Sequence, residues 1–409
     1  MAPHPRSGPS RWLRLAGRSG RWLALGATIA LAWPGAAVSW LSAVLPSASP
    51  FVAVASVLAR AAGWMALLAL PVAVLSWFRP RWLCRHACPL GLLLDVVEAL
   101  RTRHAEAPRR RWPVLGRAAA LLAFGGALLG YPWFLWTDPL AVGPAFLHAW
   151  RAPLAAPTLA AGLVLPAILL LGLVTPRLWC RHLCPLGGTL DWIQWARRKL
   201  RRASRGAPLE ADAAGPGLLG DRRAFLAAGV GLAGAAALRA ASGRTQAVLR
   251  PPGSRDEIRF AGLCVRCGNC GQACPSGIIE PDLRAEGGLA AWLAPRLRFD
   301  RDYCREDCRR CGEVCPSGAI DCQTLEEKHR HLIGIAVVEE SLCLLAQGRE
   351  CTACLAACPF KALVMASRDG GFTNEPLVLP DRCNGCGACE SVCPTRPARA
   401  ITVRVRPAK

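Results

Sequence analysis

Seventeen of the 21 cysteines in this 409-residue chain lie between positions 264 and 393, and sixteen of them form four regular runs. The first and fourth runs read C-x2-C-x2-C-x3-C-P, the second begins C-x3-C, and the third begins C-x7-C. A cubane iron–sulfur cluster needs four converging thiolates, and C-x2-C-x2-C supplies three from one loop. The pattern predicts four [4Fe-4S] sites, whose iron ligands are Cys264, Cys267, Cys270, Cys274, Cys304, Cys308, Cys311, Cys315, Cys343, Cys351, Cys354, Cys358, Cys383, Cys386, Cys389 and Cys393.

The cysteine before each proline is expected to serve the neighbouring cluster, as in two-cluster ferredoxins. This exchange pairs the first run with the second and the third with the fourth, so we expect two double-cubane modules in tandem. Cys343 stands far before Cys351 and needs a loop to reach its site, which leaves Cys322 as an alternative ligand.

Other uses of these cysteines fit the spacing less well. Zinc sites use two C-x2-C pairs, without a third thiolate two residues on and a following C-P. A secreted disulfide scaffold uses irregular spacings in a short chain. The sequence also lacks a strand-linked G-x-G-x-x-G, which argues against a nicotinamide or flavin cofactor.

The residues before the cysteine block resemble a membrane protein. The chain is 53% hydrophobic yet carries 50 Lys and Arg and a net charge of +22. The arginines cluster at the ends of apolar stretches, which favours a lipid bilayer over nucleic acid as the partner. Four apolar stretches approach the length of a membrane-spanning helix, about 20 residues; they are 22–45, 61–78, 118–136 and 157–175. The first could instead be a signal peptide.

The arginine distribution predicts the orientation of these stretches. Segments 79–111 and 177–205 each carry eight Lys or Arg. By contrast, Arg60 is the only charged residue in 42–60, and 137–156 has only Asp138 and Arg151. The positive-inside rule then places the N-terminus and both basic segments in the cytoplasm.

An internal repeat marks both cytoplasmic ends. The motif W-L-C-R-H-A-C-P-L-G, from Trp82, returns as L-W-C-R-H-L-C-P-L-G, from Leu178. Each copy follows a hairpin of two predicted spans, so the copies could face each other and supply four thiolates to a further metal or cluster. The alternative is a structural turn with reduced, unligated thiols. The cysteines concerned are Cys84, Cys88, Cys180 and Cys184.

A segment that resembles a twin-arginine signal precedes the cysteine block. Asp221-Arg222-Arg223-Ala224-Phe225-Leu226 leads into a mildly apolar stretch rich in Ala and Gly. The twin-arginine route carries folded cargo, which suits a domain whose clusters are assembled in the cytoplasm. Alternatively, Arg222 and Arg223 anchor one more helix. Either interpretation exports the residues that follow.

The two halves resemble two known protein families. The apolar stretches with paired C-x3-C-P-L-G motifs resemble the membrane ferredoxin proteins of the NapH/MauN type, and Trp136-Thr137-Asp138-Pro139-Leu140 looks like the Asp-Pro element of their second outer loop. The twin-arginine start and the four-run block, with Gln347-Gly348 inside the wide third run, resemble their periplasmic partners of the NapG/MauM type. The membrane family normally ends in two cytoplasmic clusters, so this chain resembles a fusion of both subunits.

The resemblance implies a function as the electron-transfer component of a quinol dehydrogenase-type system. Membrane quinol would be the donor, and a periplasmic reductase or c-type cytochrome the acceptor. Asp138 and His148 are candidates for taking the quinol protons, although both could be ordinary interfacial side chains. The alternatives are a maturation factor for a periplasmic enzyme, and a membrane-anchored ferredoxin that faces the cytoplasm.

The predicted fold is a membrane helical bundle, of four spans plus a short twin-arginine helix, followed by α+β tandem modules like bacterial ferredoxins. Short strands are expected near 377–379 and 400–405. The predicted location is the bacterial inner membrane, with the cluster domain on the periplasmic side. The predicted segments are a basic N-terminus, 1–21; a four-span domain, 22–196; a basic linker, 197–220; the twin-arginine helix, 221–243; and the four-cluster domain, 244–409.

Overall fold

The fold is that of a computed structural model, which describes residues 19–33, 39–100, 114–150, 156–204, 218–241, 248–367 and 374–406. Most of the predicted basic N-terminus and residues 205–217 of the predicted linker lie outside these ranges. The described chain has an all-helical part, up to residue 241, and a part with short helices and two-stranded sheets, from residue 248.

The helical part consists of short helices joined by tight turns. Its α-helices are α1 Ser19–Ala32, α2 Val44–Ser47, α3 Pro50–Leu58, α4 Leu70–Phe78, α5 Trp82–His86, α6 Pro89–Leu100, α7 Leu115–Leu128, α8 Pro139–His148, α9 Ala156–Gly162, α10 Val164–Val174, α11 Pro185–Ala203 and α12 Leu218–Ala241. Short 3₁₀ helices cover Ser39–Ala43, Trp64–Ala69 and Leu135–Thr137, and a π-helix covers Trp179–Leu183.

A bundle of four span-length helices was expected, and the described structure does not have one. Among the described residues one helix is long and apolar enough to cross a membrane, namely α9 and α10 together, Ala156–Val174. Leu41–Ser47 and Pro50–Leu58 would add a second only as one span broken by an 80° bend. The apolar helices Trp64–Phe78 and Leu115–Leu128 are shorter than a span.

Backbone chemistry explains the short helices. Pro71 lies in the first turn of α4, where its missing N–H costs nothing, and a 3₁₀ segment fills the preceding positions. Helix α7 ends in a turn at Gly130, which has φ +83°. Phe134, with φ +59°, then turns the chain again before α8.

The predicted twin-arginine helix is α12, and it packs lengthwise against α7. A Cβ added at Gly231 would lie 2.0 Å from the carbonyl oxygen of Leu122, so the two backbones touch. Arg239 donates to the carbonyl of Leu129 at 2.6 Å, which places the C-terminal ends of both helices side by side. The chain therefore leaves α12 at the same end of the helical part at which α7 ends.

The cysteine-rich part consists of two similar modules, residues 248–333 and 334–406. Its strands are β1 Ile279–Pro281, β2 Pro295–Leu297, β3 Ile335–Val338, β4 Leu363–Ser367, β5 Asn374–Val378 and β6 Ile401–Arg404. In the first module, Ser254 near the start forms a β-bridge with Ile320. In the second module, the first strand β3 pairs with the last strand β6. Antiparallel pairs form between β1 and β2, β3 and β6, and β4 and β5. The helices are α13 Glu257–Leu263, α14 Asn269–Ala273, α15 Arg310–Glu313, α16 Leu325–Arg330, α17 Ala353–Ala357 and α18 Ala388–Val392, with 3₁₀ turns at Leu289–Ala291 and Glu340–Leu342.

The first module packs directly on the helical part. The hydroxyl of Ser56 donates to the carbonyl of Ser317 at 2.9 Å. Arg259 donates to the carbonyl of Ala59. Phe51, on α3, and Phe260, on α13, are both fully buried in one continuous apolar core. The contacts come from the predicted outer loops, at the end of the helical part away from the C-x3-C-P repeat.

Candidate metal centres

The first two cysteine runs form two groups of thiols. Burial raises the pKa of Cys264, Cys267 and Cys270, and the nearby Cys315 raises each of these pKa values further. Cys315 ends the second run, so it has crossed to the first group as the ferredoxin pattern predicts. Cys264, Cys267, Cys270 and Cys315 are called site I below.

The second group receives the reciprocal cysteine. Burial raises the pKa of Cys311, and Cys304, Cys274 and Cys308 raise it further. The Nζ of Lys328 lies among these residues and donates to the carbonyl of Cys308 at 2.5 Å. Cys304, Cys308, Cys311 and Cys274 are called site II.

The second module repeats this arrangement. Burial raises the pKa of Cys389, and Cys386, Cys383 and Cys358 raise it further. These four residues are called site IV. Burial also raises the pKa of Cys354 to about 11, with Cys351 and Cys343 adding to the effect.

The remaining thiols form site III, which contains Cys343, Cys351 and Cys354. Cys393 packs in one apolar cluster with thiols of both sites, namely Cys343, Cys354, Cys358, Cys383 and Cys389, and the ferredoxin pattern predicts it as the fourth thiol of site III. Cys322 is exposed and lies next to Gly312 in the first module. All 21 cysteines are described, and none of them forms a disulfide.

Glycine turns build the two regular runs. Gly268 and Gly387 follow the second cysteine of their runs, with φ of +79° and +85°, values that favour glycine. Each begins a short helix, α14 or α18, which carries the third cysteine of its run. The stretched second and third runs have Arg309 and Thr352 at this position, with negative φ.

The four sites form a row. Cys311 contributes to the raised pKa of Cys270, after burial and closer thiols, so sites I and II are neighbours. The backbone amide of Cys304 donates to the carbonyl of Cys386 at 2.9 Å, which joins sites II and IV across the two modules. Sites IV and III are adjacent within the second module, because Cys354 of site III contributes to the raised pKa of Cys389 in site IV. The order along the protein is therefore I, II, IV, III.

Arg399 holds the two modules together at this junction. Its guanidinium donates to the carbonyls of Phe299 and Asp300 in the first module, at 2.8 and 2.6 Å, and to Glu390 in the second. One cation thus satisfies three backbone acceptors next to sites II and IV.

The repeated C-x3-C-P motifs do meet, at the opposite end of the helical part. Burial raises the pKa of Cys180 to about 11, and Cys84 adds to this. Burial also raises the pKa of Cys184, with Cys84, Cys180 and Cys88 adding to it. The four thiols line a cavity of about 550 Å³.

The two copies have matching ion pairs. Arg21 binds Asp95 at 2.5 Å and the carbonyl of Cys84 at 2.7 Å. Arg81 binds Asp191 through two nitrogens, each at 2.8 Å, and the carbonyl of Cys180 at 3.2 Å. In each copy, then, the aspartate four residues after the motif orients an arginine toward the first cysteine. The two cations offset the negative charge that four thiolates or an anionic cluster would bring.

The two outer-loop candidates, Asp138 and His148, are both buried. Asp138 caps α8 by accepting from the amide of Leu140 at 2.9 Å, and it accepts from the Ser49 hydroxyl at 2.5 Å. Burial raises the pKa of Asp138 to about 6. The Nδ1 of His148 lies 2.9 Å from the carbonyl oxygen of Cys267, so α8 contacts the ligand loop of site I.

Sequence reasoning missed two cations at the sites, Lys328 and Arg266. Lys328 is only 3% exposed. A capping box, Thr324 to Glu327, begins the helix α16 that carries it, and this motif could have located the helix. Arg266, with φ +55°, lies between Cys264 and Cys267 of site I and donates to the carbonyls of Cys264, Ala290 and Trp292. Nothing in the local sequence signals that role.

Comparison with known protein families supports the cofactor. Residues 263–319 and 349–396 match a family described as 4Fe-4S dicluster domain. Residues 61–108 and 157–203 match a family described as 4Fe-4S binding domain. The second match contains both C-x3-C-P motifs. The prediction of [4Fe-4S] clusters is therefore confirmed, and the cysteine groups provide the thiol donors that such clusters require.

Three curated relatives are similar to part of this chain. The methylamine utilization ferredoxin-type protein MauM of Methylobacillus flagellatus is 32% identical over 42% of this chain and 75% of its own length. The ferredoxin-type protein NapG of Escherichia coli is 37% identical over 36% of this chain and 65% of its own length. The ferredoxin-type protein NapF of Haemophilus influenzae is 34% identical over 38% of this chain and 78% of its own length. No solved structure matches the chain.

Proposed function

The chain belongs to the family of ferredoxin-type iron–sulfur proteins that includes MauM and NapG, and from this membership we propose that it passes electrons from membrane quinol to an extracytoplasmic redox protein. The acceptor is a periplasmic reductase or a c-type cytochrome. The helical part corresponds to a membrane subunit of the NapH/MauN type, joined here to a NapG/MauM-type ferredoxin. The sixteen cysteines of sites I to IV are the iron ligands.

The observation that carries this proposal is the row of sites. Bound [4Fe-4S] clusters pass single electrons. The protein sets the distance between sites II and IV. A backbone hydrogen bond joins Cys304 to Cys386, and Arg399 bonds to both modules beside it. Site I lies against the helical part and site III at the far end, so the row runs from the helical part outward.

Exposed apolar side chains support a bilayer around the helical part. On α4, Leu70 is 55% exposed and Phe78 is 62% exposed; on α10, Leu170 is 64% and Val174 is 72% exposed. Apolar surface of this extent usually marks contact with another molecule or with lipid. The segment Trp64–Phe78 is short in residues, but its six 3₁₀ and nine α residues rise about 25 Å, close to the hydrocarbon thickness of about 30 Å.

The proposed orientation follows from the two ends of this part. The C-x3-C-P end carries the described arginines of the basic segments, among them Arg81, Arg177 and Arg197, and would face the cytoplasm by the positive-inside rule. The other end carries the first module, which we therefore propose to lie on the periplasmic side of the inner membrane. Helix α12, with its twin-arginine start, runs from one end to the other beside α7.

The C-x3-C-P cysteines are proposed to hold a further metal or cluster at the cytoplasmic end. Four thiols around one cavity, two matched arginines and the match to a 4Fe-4S binding domain support this. Iron and acid-labile sulfide, measured on anaerobically purified protein, test it. About sixteen irons per chain come from sites I to IV, and a surplus must disappear when Cys84, Cys88, Cys180 and Cys184 are changed to serine. An unchanged iron content in that variant contradicts the proposal.

The proposed function is tested with the same holoprotein in lipid nanodiscs. A short-chain quinol added anaerobically is expected to bleach the visible absorbance of the clusters to an extent close to that obtained with dithionite. Clusters that dithionite reduces but quinol does not would contradict the quinol-linked function. That result would favour the alternative role as a maturation factor for a periplasmic enzyme.

A further inference from the structure

An apolar cavity of about 370 Å³ lies between the helical part and the first module. Its helical wall is formed by Val142 on α8 and Val164 on α10, and aromatic residues of the loop after α7 close one side. The opposite wall consists of Val265 and Arg266 with the turn around Trp292. A volume of this size falls within the range of small-molecule pockets, about 300–1,000 Å³.

The cavity directly adjoins site I. Val265 and Arg266 are the two residues between the ligands Cys264 and Cys267, so the cavity wall is the ligand loop itself. Any molecule held there has only this loop between itself and the site I thiols. Short separation is what a one-electron transfer from a bound donor requires.

Arg266 brings a fixed positive charge and a polar edge to this apolar space. Its guanidinium donates to the carbonyls of Trp292, Ala290 and Cys264, at 2.7, 3.0 and 3.2 Å. It also lies 5.7 Å from the ring centroid of Trp136. The contact with Trp136 joins the first module to the loop after α7, and the charge favours the anionic form of an acidic hydroxyl bound next to it.

The rim of the cavity is exposed and apolar. Leu289 is 89% exposed, Trp292 is 47% exposed and Phe134 is 46% exposed. Leu289 and Trp292 belong to the cluster module, so this module presents apolar side chains next to those of the helical part. Aromatic residues in this position are typical of the interface between a bilayer and water.

We propose that this cavity binds the ring of the membrane quinol, with its hydrocarbon tail leaving between Phe134 and Leu289 into the outer leaflet. The inference rests on the proposed function and adds the position of its donor site. Oxidation of one quinol breaks its two O–H bonds, releases two protons to the outer water and yields the quinone. The two electrons leave one at a time through the loop at Val265 and Arg266, and are taken up at sites I and II.

Photolabelling tests the position without relying on turnover. Holoprotein in nanodiscs is irradiated with an azidoquinone, and labelled peptides are mapped by mass spectrometry. We expect label in peptides that contain Tyr131 to Trp136 and Leu289 to Leu293, and excess unlabelled quinone should abolish it. Val164→Trp fills the cavity and should lower labelling at least tenfold. Leu163→Trp is the matched control, because Leu163 is 63% exposed on the same helical segment.

The rate at which quinol reduces the clusters tests the cavity as the quinol site separately from the proposed function of the protein. In wild type and Leu163→Trp, quinol should reduce the clusters at equal rates, whereas Val164→Trp should be at least tenfold slower with dithionite reduction and iron content unchanged. If wild type is reduced by quinol and both variants behave alike, the cavity is not the quinol site, although the proposed function stands. If quinol reduces none of them, the proposed function fails. Label that only lipid displaces identifies the cavity as a lipid site and overturns the inference.

Discussion

Sites I and III end the same row of thiols, yet their surroundings differ. Cys264 and Cys267 of site I are 9% and 7% exposed, under α8 and the loop after α7. Cys343, Cys351 and Cys354 of site III are half-buried, and although Cys393 is 6% exposed, the apolar cluster that contains Cys343, Cys354 and Cys393 includes no residue of the described helical part. The shielded end suits a donor that arrives from the membrane, and the open end suits a water-soluble acceptor that must approach closely.

The wide spacing in the third run belongs to this open end. The residues between Cys343 and Cys351 form a tight turn, in which the amides of Gln347 and Arg349 both donate to the carbonyl of Leu344. Gly348 there has φ +74°, and a Cβ added to it would meet nothing within 4 Å. The additional residues thus enlarge the exposed surface around site III without disturbing its thiols.

The largest predicted difference between the two ends comes from removing one ligand at each. Cys315→Ser removes a thiol from site I, and Cys393→Ser removes one from site III. Each should lower iron from about sixteen to about twelve per chain, apart from any further metal at the C-x3-C-P end. Only Cys315→Ser should abolish reduction by quinol, because the electrons enter at site I. Anaerobic iron analysis and EPR after quinol addition measure both effects.

Cys322→Ser is the control for that pair, since Cys322 is an exposed thiol that belongs to none of the four sites. It should keep its full iron content and its reduction by quinol. Quinol reduction of the remaining sites in Cys315→Ser, at the wild-type rate, would contradict the assignment of site I as the input end.

Substitutions at two glycines test whether the first module packs on the helical part while the loop in the second module is free. Gly318 has φ +68°, and a Cβ there would lie 1.8 Å from the carbonyl oxygen of Ala61. Gly318→Ala should therefore cost about 1–2 kcal/mol for the backbone and about 1–3 kcal/mol for overpacking. Gly348→Ala has open space and should cost only the backbone portion. Thermal unfolding of the holoproteins gives both values; equal losses would mean that the docking contact is not made.

The cofactor of this protein and the grouping of its thiols could be predicted from the sequence, because the spacing of the cysteines is local. The sequence predicted the exchange of Cys315 and Cys274 between two loops, and both thiols lie where the exchange puts them. The expected strands near 377–379 and 400–405 correspond to β5 and β6. Each of these features depends on residues within one module.

The packing of the first module on the helical part, and the lengths of the helices there, could not be predicted from local sequence. Ser56 and Ser317 are 261 positions apart, and neither lies in a motif that identifies a partner. Hydropathy counted 61–78 as one span, although its first six helical residues, from Trp64, are 3₁₀ and only the nine from Leu70 are α. Apolar composition indicates that a segment is surrounded by lipid or protein. The positions of proline and glycine determine where its helices begin and end.

A smaller effect is expected at the junction between the modules. Arg399→Met removes the donors that join Phe299 and Asp300 to Glu390, and should cost about 2–3 kcal/mol. Site I should still be reduced at the wild-type rate, whereas sites IV and III should follow more slowly in freeze-quench EPR. The matched variant Arg396→Met loses only bonds within its own loop and should leave the order and rate unchanged. Equal slowing in both variants would contradict the assigned role of Arg399.

The last prediction concerns Asp138, which supports the shielded end without touching its thiols. It caps α8, the helix whose His148 contacts the carbonyl of Cys267. Asp138→Ala removes the cap and leaves the buried hydroxyl of Ser49 without its acceptor, at a cost of about 2–3 kcal/mol. Asp138→Asn keeps an acceptor for the amide of Leu140 and a donor for the hydroxyl of Ser49, so it should lower the free energy of unfolding much less.

The pH dependence distinguishes the charge of Asp138 from its hydrogen bonds. Burial raises the pKa of this carboxyl to about 6 in the folded protein, from 3.8. The folded state therefore binds the proton more tightly than the unfolded state, and this contribution to stability is lost as pH rises toward and through 6. Asp138→Asn cannot titrate, so it should gain about 1 kcal/mol relative to wild type between pH 5 and pH 7. Parallel unfolding curves for the two proteins across that range would mean that Asp138 is ionised throughout, and that the cap at the shielded end depends on its charge.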